Sequence, residues 1–213
     1  MQVQTVYAMD PADARRVIDE HGWARVVTAG AGGLRATYAY MLREQGNGNE
    51  LVVSGHFARA DPQCADIEAG APALVIFDGP HGFISASWYR PELTDLPSTM
   101  NHVSVHLAGT PEVLDGDERF DVLRRTLERH EAALGDEGWR LEGGGLELSQ
   151  RIAPQTVCFR LRADRVEAKA KLSQKMPLPV RERIVDQLEG PGPYAHDELA
   201  RWMRRLSLGD AGG

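Results

Sequence analysis

Residues 24–41 read Ala-Arg-Val-Val-Thr, then Ala-Gly-Ala-Gly-Gly, then Leu-Arg-Ala-Thr-Tyr-Ala-Tyr-Met. Two short segments carrying β-branched and aromatic side chains flank a glycine-rich turn, which is the pattern of an antiparallel hairpin. Outward from it, more short strands are expected at close intervals. The turn Gly46-Asn-Gly-Asn49 leads into a strand at 50–56. Apolar residues at 73–77 and 83–87 predict two strands separated by a turn at Gly79-Pro80. Strands at 102–109, 156–163 and 166–171 complete the set, with 112–114 extending the first of these.

Helices are expected around these strands. Asp10 and Pro11 form a cap and a first helical residue, opening a helix to residue 21. Asp61-Pro62 opens a short one to residue 69. The clearest is 117–134, where Phe120, Leu123, Leu127 and Leu134 share one face. Further helices are predicted at 146–152, 180–188 and 196–208, a loop at 89–99, and a mobile tail from Gly209 to Gly213. Seven or eight strands with helices at the margins give a mainly β (α+β) fold, an antiparallel barrel with peripheral helices. No strand leads into a G-x-G-x-x-G or Walker loop, which excludes the common dinucleotide and NTP sites.

The chain has 213 residues and a formal net charge of -7. Phosphate backbones call for a local excess of Lys and Arg, so DNA is a disfavoured partner. Cys64 and Cys158 form no C-x-x-C pair. Two reduced thiols are the favoured reading and a disulfide stays open. No apolar run approaches the ~20 residues of a membrane helix. Residues 1–10 lack the basic start and apolar stretch of a signal peptide. A cytoplasmic protein without a membrane partner is expected.

Four segments are suited to chemistry. In Ser54-Gly-His-Phe-Ala-Arg-Ala-Asp-Pro-Gln63, a strand-to-helix junction presents His56 and Arg59, which suits a phosphate. A surface ion pair of Arg59 with Asp61 or Asp66 is the plainer alternative. In 77–89, Phe77, Phe83, Trp88 and Tyr89 stand beside His81, Ser85 and Ser87. Such a groove suits a flat heterocycle, with Ser87 and Trp88 as candidate contacts; aromatic girders of a core are the competing use. In 99–106, His102 and His106 share a strand face about 13 Å apart, too far for a shared metal, so no metal site is expected. His102 is a candidate proton donor. In 169–175, Lys169, Lys171 and Ser173 share a face and suit a phosphate or a ribityl chain; a lysine-guarded edge strand is the alternative.

Together, G-H-F-A-R-A-D-P-Q, I-F-D-G-P-H-G-F-I-S-A-S-W-Y, T-M-N-H-V-S-V-H and K-A-K-L-S-Q resemble the PaiB family, FMN-binding split-barrel proteins, over residues 6–188. The resemblance implies a split barrel over 1–175 with a helical extension at 176–213, and a homodimer with FMN at the interface. It places His56, Arg59 and Ala60 on the phosphate side, and brings Lys171, Ser173 and Gln174 from the partner. Trp88 and Asn101 would line the pocket wall. The chain departs from the family pattern at Tyr38, Asp61, Cys64, Met100, His102 and Lys175-Met176.

Three functions follow. The first is an FMN-dependent oxidoreductase acting on a small-molecule substrate, with His102 or Tyr38 moving a proton. The second is the family's negative transcriptional regulator, with Arg201, Arg204 and Arg205 as its basic residues. The third is a haem-binding split barrel.

Overall fold

The computed structural model describes residues 1–208; the tail expected to be mobile lies outside them. The chain forms two compact units. The first comprises Met1–Val17, Asp78–Val105 and the residues from Glu167 on; the second comprises Ile18–Phe77 and His106–Val166.

In the second unit the opening hairpin is β1 (Trp23–Gly30) and β2 (Gly33–Tyr40), paired from Trp23↔Tyr40 to Gly30↔Gly33. Pairing that far leaves only Ala31 and Gly32 in the turn, and Gly33 carries the positive φ (96°) that a tight hairpin needs. β3 (Leu42–Glu44) and β4 (Val52–Ala58) pair next, and β4 pairs with β8 (Thr156–Arg162), which pairs in turn with β7 (Pro111–Leu114). The sheet orders are β3-β4-β8-β7 and, with β5 (Ala73–Ile84), β6 (Thr99–Gly109) and β9 (Arg165–Lys171), β2-β1-β5-β6-β9. The β1–β2, β1–β5, β3–β4, β4–β8 and β7–β8 pairs are all antiparallel.

The helices are α1 (Pro11–Glu20), α2 (Gln63–Glu68), α3 (Gly116–Glu131), α4 (Gly143–Ile152), α5 (Leu178–Glu189) and α6 (Asp197–Met203). Asp10 caps α1 by accepting from Asp13 N at 2.7 Å. α5 buries Val180, Ile184, Val185 and Leu188, the stripe of a one-sided helix. Cys64 and Cys158 are buried free thiols, which closes the disulfide reading. Among the described residues no helix is long and apolar enough to cross a membrane.

Three expectations change. Gly79-Pro80 is no turn: β5 runs through it unbroken. A Cβ on Gly79 would come within 3.1 Å of the Val103 side chain, so this glycine serves close strand approach. Residues 86–89 form a 3-10 turn in place of a strand end, with Ser85 Oγ accepting from Ser87 N. On α3 the buried residues are Val122 and Thr126, whereas Leu127 is 37% and Leu134, just beyond the helix, 60% exposed.

Glu44 ties three elements of the second unit together, accepting from Arg125 on α3 (2.9 Å) and Arg160 on β8 (2.7 Å). Burial pushes its carboxyl up, but the surrounding hydrogen bonds, Arg125 and Arg160 foremost, together with the Arg160 charge make the net shift down. A lowered folded pKa gives stability that is present above the unfolded carboxylate pKa and lost as pH falls through the folded value. Between about pH 7 and about pH 3, the urea midpoint is expected to fall further in the parent chain than in Glu44→Gln. Equal falls would show that Glu44 carries none of the acid sensitivity.

Candidate functional site

The first unit gathers three of the expected residues around one cavity. The end of β9 supplies Lys171, and the turn after it supplies Ser173. Gln174 fixes that turn: its Oε1 accepts from Leu172 N (2.8 Å) and its Nε2 donates to Ala170 O (2.6 Å). Ser173 sits at φ 63°, a left-handed conformation that side chains other than glycine rarely adopt. Such backbone is held only when its surroundings enforce it, and it concentrates at ligand sites.

Asn101, fully buried on β6, is the enforcing group. Its Nδ2 donates to Ser173 Oγ (3.0 Å), and that hydroxyl lies 3.2 Å from Asn101 Oδ1. Met203 Sδ lies 3.5 Å from the same Nδ2. With its amide committed to neighbours, Asn101 positions Ser173.

Beside this pair lies a cavity of about 220 Å³ whose walls include Tyr7, Ser98, Thr99, Lys171, Ser173 and Lys175. Lys171 Nζ donates to Thr99 Oγ1 and to Met100 O. Burial, then the nearby Lys169, push its pKa down. Lys175 Nζ donates to Gln4 (2.9 Å) and stands 5.2 Å from the Tyr7 ring centroid. The lining holds two lysines and no carboxylate, in a chain of net charge -7. Hydroxyls and ammonium groups without a competing anion form a site for an anion. His102 stands near these cations. Burial, then Lys169, Lys171 and His81, push its pKa down, which keeps the imidazole neutral at neutral pH.

Ser87 and Trp88 also lie in the first unit. Ser87 is exposed and its hydroxyl lies 2.8 Å from that of Ser85, while Trp88 packs edge-on to Tyr194 at 6.4 Å. The second unit holds the other four predicted residues. Tyr38 is exposed and stacks on Trp23 at 5.9 Å. Arg59 donates to Glu68 (2.9 Å) and to Pro154 O (3.1 Å), and Ala60 is exposed in the following turn. His56 lines an apolar pocket with its Nδ1 buried and unpartnered. The departure at Asp61 has a structural use: it accepts from Gln63 N (2.8 Å) and from Thr37 Oγ1 (3.0 Å). Reading the sequence missed Tyr7, Ser98, Thr99 and Lys175 as cavity walls. Thr99 lies inside a quoted motif and Lys175 directly follows one, whereas Tyr7 is far away in the chain and gives no local signal.

The flavocytochrome Anf3 from Azotobacter vinelandii is similar in fold, with a TM-score of 0.59 at 15% identity over 94% of this chain and 78% of that one. So is the FAD and heme binding protein from Mycobacterium smegmatis, with a TM-score of 0.52 at 19% identity over 76% and 71%. At these identities the likeness defines the fold, the split barrel of flavin-binding proteins. In sequence, the chain is 30% identical over 186 residues to "Protease synthase and sporulation protein PAI 2" of Bacillus subtilis (strain 168), covering 87% of each. Residues 1–165 match the family described as "Putative FMN-binding domain", and the chain belongs to that family. The PaiB resemblance carried by the four segments is borne out.

Proposed function

We propose that the chain binds FMN with its phosphate end in the cavity between Lys171 and Lys175, and works as an FMN-dependent oxidoreductase on a small molecule. The observation that carries this reading is the cavity lining of two lysines, several hydroxyls and no carboxylate. At about 220 Å³ the cavity is smaller than the roughly 300–1,000 Å³ of sites that enclose a whole drug-sized ligand. It matches a phosphate and the adjoining part of a ribityl chain, so the remainder of the cofactor requires other cover, for which a second copy of the chain is proposed. Flavin supplies the hydride and electron chemistry once bound. In this chain Lys171 and Lys175 hold the anion, Ser173 offers its hydroxyl, and His102, near these cations, is the candidate for moving a proton.

The regulatory reading has less support. Arg204 is held by Glu189 through two hydrogen bonds (2.9 and 2.7 Å), and Arg205 pairs with Asp13 at 2.6 Å. Charges committed to carboxylates contribute little to phosphate contacts on DNA.

The test is flavin absorbance and fluorescence of the purified chain titrated with FMN. Saturable binding is expected, bleached by reduced nicotinamide dinucleotide and recoloured by an oxidising substrate. Lys171→Gln is expected to weaken binding about tenfold, since a charge-assisted hydrogen bond contributes roughly 1.5–3 kcal/mol. Failure to bind flavin would overturn the reading. Binding without bleaching, combined with a salt-dependent shift of promoter DNA, would favour the regulator.

A further inference from the structure

The apolar stripe of α3 is absorbed only in part by the core and not at all by the cavity described above. Phe120, Leu123 and Leu127 follow one another at helical spacing; Leu123 packs in part against the core cluster of Leu114, Val122 and Cys158, and Leu127 is exposed. All three form one wall of a second concavity, of about 350 Å³, lying wholly in the second unit. Ile152 from the end of α4 and Ala58 from β4 contribute to the other walls, and His56 of β4 lines it with a buried Nδ1. This volume falls in the range of small-molecule sites, and apolar walls with a few polar groups are their usual make-up.

The charges say what kind of molecule fits. Arg124 is the one charged side chain in the lining, and it is already held by Asp121 and by Glu128 at 2.6 Å. An ion entering the pocket would find no free counter-charge, so the occupant is neutral. His56 gives it a direction. Burial pushes the imidazole pKa down, so the ring is neutral at neutral pH. Its Nδ1 is buried without a hydrogen-bond partner. A stranded lone pair is better tolerated than a stranded N–H, which puts the ring proton on Nε2 and makes that nitrogen a donor.

We propose that this pocket binds a neutral, mostly apolar ring compound bearing one hydrogen-bond acceptor, a ketone or ether oxygen, that meets the imidazole of His56. This site is separate from the lysine-lined cavity and does not depend on flavin being bound there.

The probe is prodan, a neutral naphthyl ketone whose emission moves to the blue in apolar surroundings, titrated into the full chain. Saturable, blue-shifted binding at one dye per chain is expected. His56→Phe keeps the apolar wall and removes the donor, and is expected to weaken binding about fivefold to tenfold. Leu123→Gln is expected to abolish it. Ala58→Trp, at an exposed strand position, should fill the pocket and also abolish it, which keeps the test sound if Leu123→Gln fails to fold. The anionic dye anilinonaphthalene sulfonate is expected to bind more weakly than prodan. Prodan binding unchanged by Ala58→Trp and His56→Phe would overturn the proposal, as would equal binding of the anionic dye. So would conversion of a dimer to a monomer by Leu127→Asp in sedimentation, since the stripe would then be a contact between copies.

Discussion

Asn101→Leu is expected to destabilise the protein by about 2–3 kcal/mol and to weaken FMN binding at least tenfold, because leucine keeps the volume but leaves the Ser173 hydroxyl without its partner. Asn101 is fully buried, and its amide exchanges hydrogen bonds with Ser173 Oγ at 3.0 and 3.2 Å. The Ser173 backbone at φ 63° is strained for a residue with a side chain and needs a tether to stay there. Ser173→Gly removes the strain and the hydroxyl together, since glycine adopts this conformation readily. If the amide acts only through Ser173, the double variant Asn101→Leu/Ser173→Gly will bind FMN about as weakly as the worse single variant. Independent sites would give additive losses. Urea unfolding separates the stability effect from the affinity effect, which flavin fluorescence quenching reads directly. Unchanged affinity in folded Asn101→Leu would show that Ser173 needs no positioning.

Local signals carried most of the fold. The hairpin at β1 and β2, the cap at Asp10 and the stripe of α5 each depend on neighbours within a few residues, and each stands where the sequence pattern puts it. The pattern misled where a local sign had a tertiary cause. Gly79-Pro80 reads as a turn, but the glycine is there because Val103 leaves no room for a side chain. Leu127 reads as a core residue because helical spacing shows which residues share a face and not what that face meets. The candidate site was legible in part. Lys171 follows from strand alternation and Asn101 from the quoted motif, whereas Ser173, expected on the same strand face, stands in the turn after β9. The left-handed backbone at Ser173 had no sequence signal, since a serine does not announce a conformation that glycine normally supplies. Arg59 shows the opposite failure. Its setting suits a phosphate on paper, yet its guanidinium is held by Glu68 and the carbonyl of Pro154.

Phe159→Ala is expected to produce the largest loss of stability, about 3–5 kcal/mol. Phe159 is fully buried on β8, opposite Gly55 on β4 and Val113 on β7, and its ring lies 5.1 Å from that of Phe57. Alanine would remove the apolar burial and the ring contact together. The site cannot easily collapse, because the strand on either side is fixed by its ladder and a neighbouring group is already close-packed. A Cβ on Gly55 would clash with Met41 Sδ, so β4 has little freedom to move inward on that face. For a domain of this size, each kcal/mol shifts the melting temperature by roughly 2–4 °C, so a fall of roughly 6–20 °C is expected. Phe159→Leu fills most of the volume and should lose less than half as much. A loss under about 1 kcal/mol for Phe159→Ala would mean that β8 relaxes to fill the space, against the close packing of this sheet. The His56 pocket offers an independent reading of the same event. His56 adjoins Phe57 in the chain, and its register partner Cys158 adjoins Phe159. Loosening the aromatic pair is therefore expected to broaden the histidine ring signals in nuclear magnetic resonance before the chain unfolds. Sharp, unshifted His56 signals in folded Phe159→Ala would show that β4 is held by its ladder alone.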